Sequence, residues 1–360
     1  MINMIKNILI LFLCFPVLSN AQQQITKSMI FDGVSREYIV YIPGSYDGSK
    51  EYPLLFNFHG GGSTSNNFIN VNDMRPIADT AGFIAIYPQG AIDYNGADPG
   101  SPPSTSWIHK APTTHDDINF ISAIIDVLAN EYLVDENRVY ACGYSEGGIF
   151  SYELGCRLNN RIAAFASVSG SMMADDFRDS NYNLGFCTPV HPTAVLLIPG
   201  TNDMSFHSTY SGFQPYYMSV DEITTFWSNY NNTDIYPIIS QLPNINTSDG
   251  STVERRVWEG GDNCIRVEEL KVIAGDHDWP GSSGNMDIQS SNEIWNFVSK
   301  FDINGLIDCN TTSNLENNII QNKKLLSITD MLGRNIKELK NIPLFYFYDD
   351  GSVEKKIVVE

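Results

Sequence analysis

Short apolar runs rich in β-branched and aromatic residues recur along the chain, separated by polar stretches with helical spacing. Arg36 to Ile42 alternates apolar and polar positions, the pattern of a half-exposed strand. Leu54–Phe58, Phe83–Tyr87, Arg138–Cys142, Ala164–Val168 and Ala194–Ile198 are short and nearly continuous. Such runs suit strands covered on both faces, as in a parallel sheet. Leu270–Ile273 reads as a weaker seventh strand. Asp116 or Asp117 is placed to cap a helix whose Ile118, Ile121, Ile125 and Leu128 share one face. A last helix is expected from about Gln289 to Phe301, with Ile294, Trp295, Phe297 and Val298 turned inward. Strands alternating with helices predict an α/β fold with a mostly parallel central sheet flanked by helices.

The pattern breaks at both ends. Lys6, the apolar run Ile8–Leu18 and the small residues Ser19-Asn20-Ala21 read as an export signal spanning residues 1–21. That run is too short to stay in a bilayer, and no later stretch reaches the roughly 18 apolar residues a membrane helix needs. Cys14 follows Leu13, which is bulkier than lipoprotein processing accepts, so cleavage near Ala21 is the reading. Residues 25–302 carry the catalytic pattern, and the Asn- and Thr-rich stretch 303–322 reads as a linker. Residues 323–360 hold three short strand patterns, Leu325–Ile328, Leu344–Tyr348 and Val353–Val359, with Asp349-Asp350-Gly351 as the turn of a hairpin. So few residues make a marginal core by themselves.

Composition narrows the function. Of 360 residues, 42% are hydrophobic and 18% charged, enough apolar surface for a real core. A formal charge of -20 repels nucleic-acid backbones and anionic membranes, so neither is an expected partner. Beyond Cys14, the cysteines are Cys142, Cys156, Cys187, Cys264 and Cys309. Cys142 lies in an apolar strand run and reads as a buried thiol. In an oxidising compartment the other four make two bridges, whose pairing the spacing leaves open.

The chemistry centres on Gly143-Tyr144-Ser145-Glu146-Gly147, directly after a strand run. Gly-x-Ser-x-Gly between strand and helix is a nucleophile elbow: the serine sits in a strained turn, and its neighbours two positions away must lack side chains. Leu54–Phe58 runs into His59-Gly60-Gly61-Gly62, whose backbone amides are suited to an oxyanion. His59 reads as a ring that braces this loop. Pro199-Gly200-Thr201-Asn202-Asp203 follows a buried strand and offers Asp203 as the carboxylate that orients a base; capping a turn is its ordinary alternative. His277, in Gly275-Asp276-His277-Asp278-Trp279-Pro280-Gly281 after the last core strand, is the candidate base. His109, His115, His191 and His207 are its rivals, the last two read as loop residues. Trp107, Trp279 and Tyr144 are candidate substrate-binding aromatics, with ordinary packing the alternative for the two tryptophans.

Together these residues resemble the polyhydroxybutyrate depolymerase and feruloyl esterase-like family, akin to carbohydrate esterase family 1 and of the α/β-hydrolase fold. The resemblance is carried by Phe58-His59-Gly60-Gly61, Arg138-Val139-Tyr140, Gly143–Gly148, Gly200-Thr201-Asn202-Asp203 and Gly275–Gly281. It implies a Ser145–Asp203–His277 triad, oxyanion N–H groups from Gly61 and Glu146, a Cys156–Cys187 bridge, and no metal or organic cofactor. Relatives often carry Cys where this chain has Gly61, and no polymer-binding module is visible. The tail, through Ile328–Arg334 and Tyr348–Lys356, resembles the C-terminal sorting domain of type IX secretion cargo, which implies passage across an outer membrane and that secretion machinery as a partner. The expectation is a secreted serine carboxylic-ester hydrolase acting on a polysaccharide-linked or polyester substrate. A serine peptidase on the same fold, or an inactive surface binding protein, are the alternatives. The absence of a propeller or lid insertion speaks against the first, and the intact triad residues speak against the second.

Overall fold

Buried strands must pair their backbone N–H and C=O groups, and here they do so in one large sheet. The computed structural model describes residues 22–93, 103–107, 116–309, 325–329, 334–336, 343–348 and 353–357. The chain opens with β1 (Gln23–Phe31), β2 (Val34–Ile42) and β3 (Tyr52–Phe58), then α1 (Ser65–Val71), α2 (Arg75–Ala81) and β4 (Ile84–Pro88). A small ribbon of β5 (Ala91–Asp93) and β6 (Ser104–Ser106) precedes α3 (Asp117–Glu131) and β7 (Val134–Tyr144). Next come α4 (Glu146–Arg157), β8 (Ala164–Val168), α5 (Asp175–Tyr182), β9 (Ala194–Ile198) and α6 (Val220–Tyr230). The last elements of the first unit are β10 (Ile238–Gln241), β11 (Thr252–Trp258), β12 (Val267–Ile273), α7 (Ser290–Val298), β13 (Phe301–Asp302) and β14 (Gly305–Leu306).

The ten-stranded sheet has the order β1-β2-β4-β3-β7-β8-β9-β12-β11-β10. Its centre, β4 through β12, is parallel. Antiparallel strands extend both edges. β3, β4, β8 and β9 are buried at every position, as their continuous apolar runs predict. Alternation along each strand divides the core in two. Phe56, Phe58, Val195 and Leu197 pack with Ile121 and Ile125 of α3, Phe150 of α4 and Trp227 of α6. Leu55, Leu196 and Ile198 pack with Phe68 of α1, Ala78 of α2 and Ile294 and Phe297 of α7. Asp116 is the cap of α3, its carboxylate accepting from the Asn119 amide at 2.9 Å.

Sequence patterning missed β1 and β11 because each has a wet face. In β11, Arg255 and Arg256 lie on a half-exposed surface and pair with Glu268 and Glu254, both at 2.7 Å. Two boundaries also move. The sheet begins at Gln23, paired with Ile42, rather than at residue 25. Residues 303–307, expected to start a linker, instead finish the first unit: the Ile303 amide donates to Asn137, and the Ile307 amide to Lys300, each at 2.9 Å. The second unit, Asp308–Glu360, contains an antiparallel sheet of β15 (Leu325–Thr329), β16 (Pro343–Tyr348) and β17 (Val353–Ile357). Residues 1–21, most of the expected linker and the turn at 349–351 lie outside the described residues.

Cys156 and Cys187 form a disulfide, Cα atoms 4.8 Å apart, tying α4 to the segment after α5. Cys264 and Cys309 are disulfide-bonded as well, and Cys142 is a buried free thiol. Burial raises the Cys142 pKa, so it stays protonated and inert.

Candidate active site

Ser145 occupies the single residue between β7 and α4, with φ 57° and ψ -120°. A non-glycine residue holds such a conformation only when its surroundings enforce it. The glycines are required by close approach: a Cβ on Gly143 would lie 2.1 Å from the Gly147 carbonyl oxygen, and one on Gly147 would lie 2.2 Å from that of Phe58. The Ser145 amide donates to Val168 at 2.9 Å, locking the turn to the neighbouring strand.

Ser145 is 7% exposed, and its hydroxyl meets His277, whose Nε2 is 2.9 Å from Ser145 Oγ. His277 Nδ1 is 2.7 Å from Asp203 Oδ2. These three side chains come from the carboxyl ends of β7, β9 and β12, which bring distant stretches of chain to one sheet edge. Asp203, 3% exposed, also accepts from the Ser205 amide at 2.9 Å through Oδ1. Burial by itself would raise the Asp203 pKa. The hydrogen bonds from His277, Ser205 and Ser208 outweigh burial and hold it below the usual carboxylate value, so it is ionised at neutral pH. Nδ1 of His277 therefore carries the ring proton, and Nε2 is free to take one from the serine.

The His59–Gly62 loop lies against this turn. A Cβ on Gly60 would sit 3.3 Å from Ser145 Cβ, and one on Gly61 would clash with the Glu146 carboxylate. His59 is fully buried; its Nδ1–H donates to the Gly60 carbonyl at 2.8 Å, and its Nε2 accepts from the Gly90 amide at 3.0 Å. Burial holds its pKa at about 4, so it is a neutral brace. The Gly60 carbonyl also accepts from the Ser63 amide at 3.1 Å. In a trans peptide the Gly61 N–H then points the opposite way, out of the loop. Glu146 opens α4, where backbone N–H groups face outward from the helix start. Its carboxylate accepts a hydrogen bond from Ser106.

The two candidate tryptophans are packed inside the protein. Trp107 is 1% exposed, stacks on Phe150 with centroids 5.0 Å apart, and donates from Nε1 to the His59 carbonyl at 2.8 Å. Trp279 is 2% exposed, packed edge-on to Phe68 and Tyr144. Both rings face protein. The Tyr144 hydroxyl donates to the His277 carbonyl at 2.7 Å, so its polar end grips the histidine loop. The sequence leaves Ser208 unassigned and reads His207 as a loop residue, yet both reach the site. Ser208 Oγ lies 3.1 Å from His277 Nδ1, and His207 Nε2 lies 3.1 Å from Ser145 Oγ. His191 is elsewhere, bonded to Asn159 and Pro192. His109 and His115 lie outside the described residues. Among the described residues, no group of three His, Cys, Asp or Glu side chains is arranged to hold a metal.

No family model matches the sequence. Over 274 residues, 76% of this chain, it is 26% identical to a bifunctional acetylxylan esterase/xylanase of Neocallimastix patriciarum, matching 34% of that protein. Over 193 residues, 52% of this chain, it is 29% identical to a probable feruloyl esterase C of Aspergillus terreus, matching 59% of that protein. The chain thus spans from about a third to three-fifths of these curated relatives' lengths. Among solved structures, an acetyl xylan esterase from Aspergillus awamori matches with a TM-score of 0.51 at 12% identity, over 78% of this chain and 99% of that one. That likeness and the parallel sheet carrying a serine elbow establish the architecture: the chain has an α/β-hydrolase fold.

Proposed function

We propose that this protein is a secreted serine carboxylic-ester hydrolase that works through an acyl-enzyme. The observation that carries the reading is the chain of hydrogen bonds from Ser145 through His277 to Asp203. His277 Nε2 takes the hydroxyl proton as Ser145 Oγ attacks the ester carbonyl. The carbonyl π pair moves onto oxygen, which the N–H groups of Gly61 and Glu146 receive. Collapse expels the alcohol, which takes its proton from His277. Water then repeats the sequence on the acyl-serine and releases the acid.

Acyl groups on plant polysaccharide are the favoured substrates. The sequence relatives are named acetylxylan and feruloyl esterases. Hydrolysis of methyl ferulate and acetylated xylan by the full chain and by Ser145→Ala tests this. Release of ferulate or acetate that vanishes in the variant supports the reading. Equal release by the variant defeats it. A hydroxybutyrate oligomer and an aromatic polyester in the same panel report the polyester alternative.

The tail, residues 323–360, is proposed to be the sorting domain that engages type IX secretion machinery. Support comes from its motif residues, its small separate β unit and the disulfides, which suit an oxidising compartment. Expression in a host with that machinery, with and without residues 323–360, tests it: the truncated chain should remain in the periplasm. Equal release into the medium argues against the assignment.

A further inference from the structure

Among the described residues, two imidazoles lie within hydrogen-bond distance of the Ser145 hydroxyl: His277 Nε2 at 2.9 Å and His207 Nε2 at 3.1 Å. The rings stand almost perpendicular, at 86°, with centroids 5.6 Å apart. A serine hydroxyl has one proton to give and two lone pairs to offer. His277 donates from Nδ1 to Asp203, so its Nε2 is the acceptor of that one proton. The contact with His207 must run the other way, from Nε2–H into a lone pair of Oγ.

His207 is held for that purpose by its surroundings. Its backbone carbonyl accepts from the Ser171 amide at 3.0 Å, and its ring sits edge-on to Phe206 and crosses Tyr217. Burial, with His277 nearby, keeps its pKa at about 4, so it is a neutral donor and not a competing base at neutral pH.

We propose that His207 is a further catalytic residue, a fixed N–H donor that stabilises Ser145 Oγ when that oxygen is the leaving group. The inference rests on the esterase reading of the same site. In deacylation, a water proton passes to His277 Nε2 while the water oxygen pair bonds to the acyl carbon and the carbonyl π pair moves to the oxyanion. Collapse breaks the carbon–Oγ bond, its electron pair stays on Oγ, and His277 returns the proton there. Negative charge gathers on Oγ before that proton arrives, and the His207 N–H points at it. The His207 proton is never transferred. During acylation Oγ loses electron density instead, so the donor gives no comparable help. The residue therefore speeds the second half of the cycle more than the first.

Stopped-flow hydrolysis of p-nitrophenyl acetate by wild type, His207→Leu and His207→Gln tests this directly. In the leucine variant kcat should fall roughly tenfold, the magnitude of one hydrogen bond to a charged atom. Its burst should rise toward one equivalent as acyl-enzyme accumulates, with the acylation rate within about threefold of wild type. Glutamine places an amide N–H near the same point and should recover most of the loss. His207→Asn is polar but too short to reach Oγ; it serves as the second non-donor, held to the same outcomes, if the leucine variant does not fold. A non-donor variant with kcat within about twofold of wild type, a parallel fall in both half-reactions, or no gain with glutamine overturns the inference. A wild-type enzyme inert toward every ester tested overturns the esterase reading instead.

Discussion

The hydroxyl of Tyr144 donates to the backbone carbonyl of His277 at 2.7 Å, so the residue just before Ser145 grips the loop that carries its partner imidazole. Ser169 adds a second tie, donating to the Asp278 carbonyl at 3.0 Å. The Ser145–His277 distance is thus set by hydrogen bonds that the reacting groups do not themselves make.

Replacing Tyr144 by Phe removes one such tie while keeping the ring in place. Turnover of p-nitrophenyl acetate should fall about three- to tenfold through kcat, with KM nearly unchanged, because loss of one neutral hydrogen bond loosens the imidazole by roughly 1 kcal/mol. A raised KM at constant kcat would return this hydroxyl to the substrate, where the sequence reading put it.

Asp203→Asn tests the orienting carboxylate. An amide is close in size, but its NH2 favours the wrong tautomer of His277, and the loss in kcat should be about 10² to 10⁴-fold. Melting temperature should change little by comparison. Near-wild-type turnover in the folded variant would remove Asp203 from the mechanism and leave it as a loop cap.

Much of this site is legible in the sequence for a physical reason. The elbow demands glycine where the serine turn runs into neighbouring backbone, so Gly143 and Gly147 mark Ser145 at the level of residue type. Likewise, β8 and β9 are covered on both faces, and only apolar residues tolerate that. Where contacts form only after folding, the sequence is silent. His207 and His191 look alike as loop histidines, yet one meets Ser145 and the other Asn159. Trp279 sits beside His277 in the chain, but which way an indole faces depends on the space behind it. Strand β1 alternates exposed and half-exposed residues on an outer edge and offers no apolar run to find.

Stability should depend on pH through two neutral imidazoles. Burial holds both His59 and His207 at a pKa of about 4, against an ordinary value of 6.5. Between those values the unfolded chain binds more protons than the folded one, so stability rises with pH from about 4 to 6.5. Each ring accounts for at most roughly 3 kcal/mol across that window. Melting temperatures measured at pH 4, 5, 6 and 7 should climb and then level, and His59→Gln should flatten the slope if it folds. A melting temperature that is flat from pH 4 to 7 in the parent protein would show that these rings are not held neutral.

The most direct test of the central claim, that Ser145 is the nucleophile set by His277 and Asp203, is labelling with a fluorophosphonate followed by intact-mass measurement and peptide mapping. One adduct per chain on Ser145 is predicted, absent in Ser145→Ala and strongly slowed in His277→Ala. Rapid labelling of another residue, or ester turnover that survives in folded Ser145→Ala, contradicts it.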